Sequence, residues 1–192
     1  MSALGAPLRH HFDLYRYWQA KRGERRMPAR GDLDPINFAA QWPYLMLVER
    51  IEVQYRYRLI GSALTKQLGR DVTGAVVGSQ FSNASEAIAA KRVIYDRVFA
   101  NACPVLASVE LGSSFGNIHN VLQLLLPLSD NGAEVNMVIS TLIARFGVDS
   151  QGGSDLKRLA VTVRDVVEVD AASGLERLCL EWEQHCLHPI LA

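Results

Sequence analysis

Cysteine is scarce in this chain, with three in 192 residues. Cys103, Cys179 and Cys186 are odd in number and lack framework spacing, so they read as reduced thiols rather than a disulfide scaffold. Excess charge is absent as well: 20 basic residues balance 20 acidic ones. No global field therefore draws the protein to nucleic acid or to an anionic membrane, and neither is expected as a partner. Long apolar runs are missing. The longest, Val121 to Leu128, is interrupted by Gln123 and Pro127 and falls far short of the about 20 residues that span a bilayer. The chain does not open with a basic start, an apolar stretch and a small-residue cleavage site, so a cytoplasmic protein is expected. Internal repeats, low-complexity tracts and Gly-rich phosphate loops are also lacking.

What remains is globular composition, 49% hydrophobic and 21% charged, in a length suited to one domain with a few added elements. The most informative stretch is Tyr55 to Gly74. Tyr55, Tyr57 and Leu59 alternate with Arg56, Arg58 and Ile60, which is the period of a half-buried strand. Gly61 ends it. Ala63, Leu64 and Leu68 then predict a short helix, closed by Gly69 and a polar turn through Gly74.

Upstream, Leu8 to Arg26 reads as an amphipathic helix with Leu8, Phe12, Tyr15 and Trp18 on one stripe. Its basic end suits the negative pole of the helix dipole. Pro28 to Pro35 is a linker. Tyr44–Val53 and Gln54–Ile60 predict two adjacent strands. Asn83 and Glu86 form a capping-box pattern opening a helix to about Ala100, with Ala87, Ile94 and Val98 on its buried side. Strands are predicted over Val105–Gly112, Ile118–Leu128 and Glu134–Phe146, and Asn131-Gly132 carries the strongest short hairpin signal. After a flexible break at Gly147–Ser154 come a strand, Leu159–Val169, and a helix, Leu175–His185. The expected architecture is α+β: a five-stranded antiparallel sheet with the 62–100 helices on one face. Three regions follow: an N-terminal helix (1–27), a central domain (28–146) and a strand-helix extension (147–192).

The chain resembles the alphaproteobacterial single-domain PAS proteins of the PAS_5 type. The resemblance is carried by Tyr17-Trp18, Arg22-Gly23, Met27-Pro28-Ala29-Arg30, Asp32, Asp34-Pro35, Pro43, Tyr57-Arg58-Leu59, Gly61 and Gly69-Arg70-Asp71-Val72-Thr73-Gly74. It departs from the family pattern at Ser62 and Trp42. The resemblance implies a PAS fold and a signalling or regulatory role, and brings neither catalytic residues nor a common ligand. A haem-binding PAS domain would offer a His from the longer helix, and residues 83–100 have none, which leaves His119 as the haem-ligand alternative. A flavin photosensor would place its reactive Cys earlier than Cys103. No cofactor is expected.

Two motifs point elsewhere. Gly112-Ser113-Ser114-Phe115-Gly116 matches the hydrolase elbow G-x-S-x-G, with Asp149 or Asp155 and then His185 or His188 in hydrolase order. That chemistry needs a strand-to-helix turn, and the strand pattern from Ile118 argues for a hairpin instead. Cys179, His185, Cys186 and His188 are metal ligands by type, but they crowd one chain end and the two cysteines share an apolar helical face. The leading expectation is a non-catalytic sensor that binds a small molecule or a signalling partner. The alternatives are a small Ser hydrolase and a purely structural dimerisation domain. The expected pocket lining is Tyr57, Leu59, Asn120, Leu122, Leu124, Met137, Ile139 and Thr141, with the Tyr57 hydroxyl, Asn120 and Thr141 as its polar groups. The alternative is that these residues fill the core and satisfy each other's hydrogen bonds. A homodimer is expected, with the Leu8, Phe12, Tyr15 and Trp18 stripe meeting either a second subunit or the outer face of its own sheet.

Overall fold

The computed structural model describes residues 8–36, 38–113, 118–145, 159–170 and 174–187. Helix α1 (Arg9–Arg22) leads through two short 3-10 turns to strands β1 (Leu45–Ile51) and β2 (Gln54–Ile60). Helices α2 (Ser62–Leu68) and α3 (Ala84–Asn101) follow, then β3 (Val105–Ser113), β4 (Ile118–Leu128), β5 (Met137–Arg145), β6 (Leu159–Glu168) and α4 (Leu175–Leu187). The strands form one six-stranded sheet in the order β2-β1-β5-β4-β3-β6, and all pairings are antiparallel. The α+β antiparallel architecture is as expected. The expected count of five strands is corrected to six, because β6 pairs with β3 from Leu159 opposite Ser113 to Glu168 opposite Val105.

Local chemistry accounts for most boundaries. Helix α1 stops at Gly23, whose φ of 54° needs no Cβ to be accommodated, so it is shorter than the Leu8–Arg26 reading. Helix α2 ends on Gly69 in the left-handed region, as read. The β1–β2 turn lacks Gly and Asn because Glu52 itself takes a positive φ of 54°. Helix α3 starts directly after Asn83, but the Asn83 amide donates to the Glu86 carboxylate at 2.9 Å instead of capping the backbone. Asn131 organises a longer connection than a two-residue hairpin. Its Oδ1 accepts from the backbone N–H of Ala133 and Glu134, and strand pairing resumes only at Met137 opposite Leu128.

The sheet is buried on both faces. Its inner face carries Met46, Val48, Tyr57, Val109, Val121, Leu125 and Val138 against Leu64 of α2 and Ile94, Tyr95 and Val98 of α3. Its outer face carries Leu47, Leu106, Leu122, Leu124, Leu126 and Ile139 against Leu14 and Trp18 of α1 and Cys179 and Trp182 of α4. Trp18 Nε1 donates to the Pro127 carbonyl at 2.8 Å, which fixes α1 along β4 while keeping the indole N–H satisfied. Arg22 lies over the same ring, 5.5 Å from its centroid. The 62–100 helices thus lie on one face, as expected, α1 and α4 cover the other, and the free edge of β2 is bordered by the 74–77 segment. There Tyr57 N–H donates to Ala75, Gly74 N–H to Tyr57 and Val77 N–H to Tyr55.

The chain turns from β2 into α2 at Gly61, where its N–H donates to Leu45 at 2.8 Å. A Cβ on Gly61 would collide with the carbonyl oxygens of Trp42 and Pro43. Backbone atoms on both sides leave little room to yield, so Gly61→Ala is expected to lower unfolding free energy by about 3 kcal/mol, the upper end for overpacking. Urea denaturation checks this; a loss under about 0.5 kcal/mol, the surface-substitution range, would mean the close approach relaxes without strain.

Candidate functional site

The expected pocket residues do not converge. Tyr57 faces the inner side with α3, whereas Leu59, Leu122, Leu124, Met137 and Ile139 belong to the outer core with α1 and α4. Thr141 follows Ile139 by two along β5 and is fully buried, with no hydrogen-bond partner for its hydroxyl among the described residues. Asn120 precedes Leu122 by two along β4 and is partly buried. Tyr57 and Leu59 should share a face by strict alternation. They do not, because β1 pairs Leu47 with Leu59 and then Val48 with Tyr57, leaving Arg58 as the extra residue of a β-bulge. Sequence reasoning thus gathered mostly outer-face residues around one inner-face tyrosine.

The N-terminal stripe covers that outer face. Leu8 and Trp18 are buried, and Phe12 and Tyr15 are half-buried against the same core. Of the two outcomes expected for this stripe, the structure has the cover over its own sheet, with Phe12 and Tyr15 still partly open.

Polar chemistry concentrates beneath α3. Lys91 lies one turn after Ala87 and one turn before Ile94 and Tyr95, so the helix points it at the sheet. It is only 8% exposed, too deep for its ammonium to reach water freely. Nζ donates to Gln123 Oε1 of β4 at 3.1 Å. Gln123 Nε2 in turn donates to the Tyr95 hydroxyl at 3.2 Å and to Ser140 Oγ of β5 at 3.4 Å. Orientation of the amide is set by these partners, since only its oxygen can accept from an ammonium.

A second group adjoins the first through the tyrosines. Gln80 Nε2 donates to the Tyr57 hydroxyl at 2.9 Å, and Gln80 Oε1 accepts from Gly78 N–H at 3.1 Å. Tyr55 stacks on Tyr95 at 5.1 Å between centroids and donates its own hydroxyl to Asp96 at 2.5 Å. Burial pulls the Lys91 ammonium down from 10.5 to about 8. Burial also pushes Tyr57 up to about 12, with Gln80 opposing, and raises Tyr95 further. At neutral pH the packed layer beneath α3 therefore holds one cation and protonated phenols.

Lys91, Gln80 and Ser140 were missed, and Gln123 was read only as an interruption of an apolar run. The signal was there: a lysine on the Ala87, Ile94, Val98 stripe and a glutamine within Val121–Leu128.

The other candidates carry less. A surface groove of about 260 Å³ lies between α1 and the 38–41 segment, lined by Asp13, Arg16, Phe38, Ala40 and Gln41. Its Gln41 is already engaged by His10 and Asp13. Ser114 to Gly116 of the elbow motif lie outside the described residues, but Gly112 pairs with Ile118 and the chain continues as β4. The element after the motif is thus a strand, not the helix that a nucleophile elbow requires. His188 also lies outside the described residues, as do Asp149 and Asp155. Cys179 is buried among outer-core side chains, where burial pushes its thiol up to about 12. Among the described residues no three His, Cys, Asp or Glu side chains gather as a metal site. None of the described helices is long and apolar enough to cross a membrane.

Comparison with known proteins agrees with this architecture. No curated protein matches the chain. The profile of the PAS domain family (PAS_5) matches residues 8–143, from just before α1 into β5. With most of its length matched by one family and an antiparallel sheet under α2 and α3, the chain belongs to the PAS domain family and is a sensory or regulatory module.

Proposed function

We propose that the protein is a non-catalytic cytosolic sensor that takes a small molecule into the cleft between α3 and the inner sheet face, and passes the signal on by protein–protein contact. The observation that carries this reading is the Lys91–Gln123–Tyr95–Ser140 group. An apolar core with a few convergent polar groups is the usual composition of a small-molecule site. A core built for stability alone gains little from a buried ammonium, since apolar residues of similar volume serve as well or better. The hydrolase alternative loses its support because strand β4, not a helix, follows β3. A purely structural dimerisation domain needs no cation in its core.

Native mass spectrometry with an absorbance spectrum of the freshly purified full-length protein tests the reading. The expected result is a population heavier than the 21.3 kDa chain by the mass of one small molecule. The same spectrum reports whether the homodimer forms. A protein that stays at its bare mass, and whose melting temperature no small-molecule extract shifts, would favour the structural alternative.

A further inference from the structure

Lys91 Nζ has three N–H donors, and Gln123 Oε1 takes one of them. Among the described residues no carboxylate lies within ion-pair distance of it. The neighbours do not supply the missing acceptors. Gln123 directs both of its amide hydrogens at the Tyr95 and Ser140 hydroxyls, and Gln80 directs its own at Tyr57. Ser140 also hydrogen-bonds Tyr95, so one of their two hydroxyl protons is used between them and one is left to donate. The group therefore combines a buried positive charge with more donors than acceptors, and it is walled by apolar residues such as Ile94 and Val98.

We infer that the small molecule held in this cleft is a carboxylate whose charge is met by Lys91, with the remaining hydroxyl proton of the Tyr95–Ser140 pair adding a hydrogen bond. This rests on the sensor reading above and names the ligand class for the same cleft. A carboxylate offers about four lone-pair sites in one plane and a single negative charge. One lysine neutralises one such charge. A phosphate dianion would leave a net charge buried with no second cation among the described groups of the cleft, which is disfavoured in an apolar interior. The apolar walls suit an organic acid more than a bare inorganic ion.

The experiment measures the melting temperature of the full-length protein with sodium acetate, succinate or benzoate. The matched amides, sodium phosphate and sodium chloride at equal ionic strength serve as comparisons. At least one carboxylate is expected to raise the melting temperature by about 5 °C at about a hundred times its Kd, with no rise from its amide, phosphate or chloride. Lys91→Met is expected to melt cooperatively and to lose the response. A second reading that does not depend on that variant follows the Gln123 side-chain amide by 1H–15N NMR, which the same carboxylate should shift. No response to any of the three acids, an equal response to the amide or to phosphate, or an undiminished response in Lys91→Met overturns the assignment. A neutral molecule found bound in the native mass spectrum overturns the carboxylate and leaves the sensor reading standing. Bare protein in both experiments removes both.

Discussion

Lys91→Met is expected to raise unfolding free energy at pH 7 by about 2 kcal/mol. The lysine's ordinary 10.5 falls to about 8 in the folded protein, because burial disfavours the ammonium. At pH 7 the folded protein keeps that proton against a penalty of about 3 kcal/mol. Methionine fills similar space with no charge. It also leaves Gln123 Oε1 without its donor, which takes back about 1 kcal/mol. The sign in pH is specific. Between about 8 and 10.5 the unfolded chain holds the proton while the folded one has released it, so the lysine's penalty fades as pH rises through that window. The stability gap between Lys91→Met and the parent should therefore be full at pH 7 and narrow toward pH 10. Comparing the two proteins cancels the other groups that titrate there. A gap that is constant with pH, or a destabilised variant, would mean that Lys91 is solvated or paired. A stabilising substitution that abolishes ligand response is the usual relation between a core and a site built into it.

The elements of this fold were legible where local chemistry decides them. Gly61 and Gly69 bracket α2, and Asn83 stands directly before α3. What sequence could not settle was which side of the sheet each residue faces. In β4, Val121 and Leu125 point one way and Leu122, Leu124 and Leu126 the other, and all are buried. With helices on both faces there is no polar alternation to read, so the two sides are equivalent in pattern. The bulge at Arg58 then reversed Leu59 relative to Tyr57, a shift that depends on pairing with β1 and leaves no mark in β2 alone. The partner of β6 was hidden for the same reason. Leu159–Glu168 reads as a strand, but its edge on β3 lies some fifty residues back in the chain and is a tertiary choice. Of the candidate site, Tyr57 was read as an inward polar group and packs on the inner face, while Lys91 was passed over although its spacing from Ala87 and Ile94 placed it on the buried stripe.

Acid should loosen the protein well before its carboxylates titrate, and His11 on α1 is the residue responsible. Its side chain is fully buried beneath α1 against the outer face of the sheet. The Leu122 backbone lies beside the ring, but neither ring nitrogen makes a well-formed hydrogen bond among the described residues. Burial is the main cause that lowers its pKa from 6.5 to about 3; the Leu122 carbonyl opposes this and the neighbouring His10 adds slightly to it. A depressed histidine pKa means that below 6.5 the unfolded chain takes up a proton the folded one refuses. Stability is thus intact above about 6.5 and falls as pH drops toward 3. By pH 5 the loss from this one residue is about 2 kcal/mol. Asp32 and Glu168, whose carboxyls are held below their ordinary values by hydrogen bonds, contribute only at lower pH. His11→Leu removes the ionisable group and both unpartnered nitrogens while keeping an apolar side chain under α1. Urea midpoints for parent and variant at pH 8, 6.5 and 5 should diverge, with His11→Leu gaining about 2 kcal/mol on the parent between the first and the last. Parallel losses in the two proteins would place the acid sensitivity elsewhere and His11 in contact with solvent.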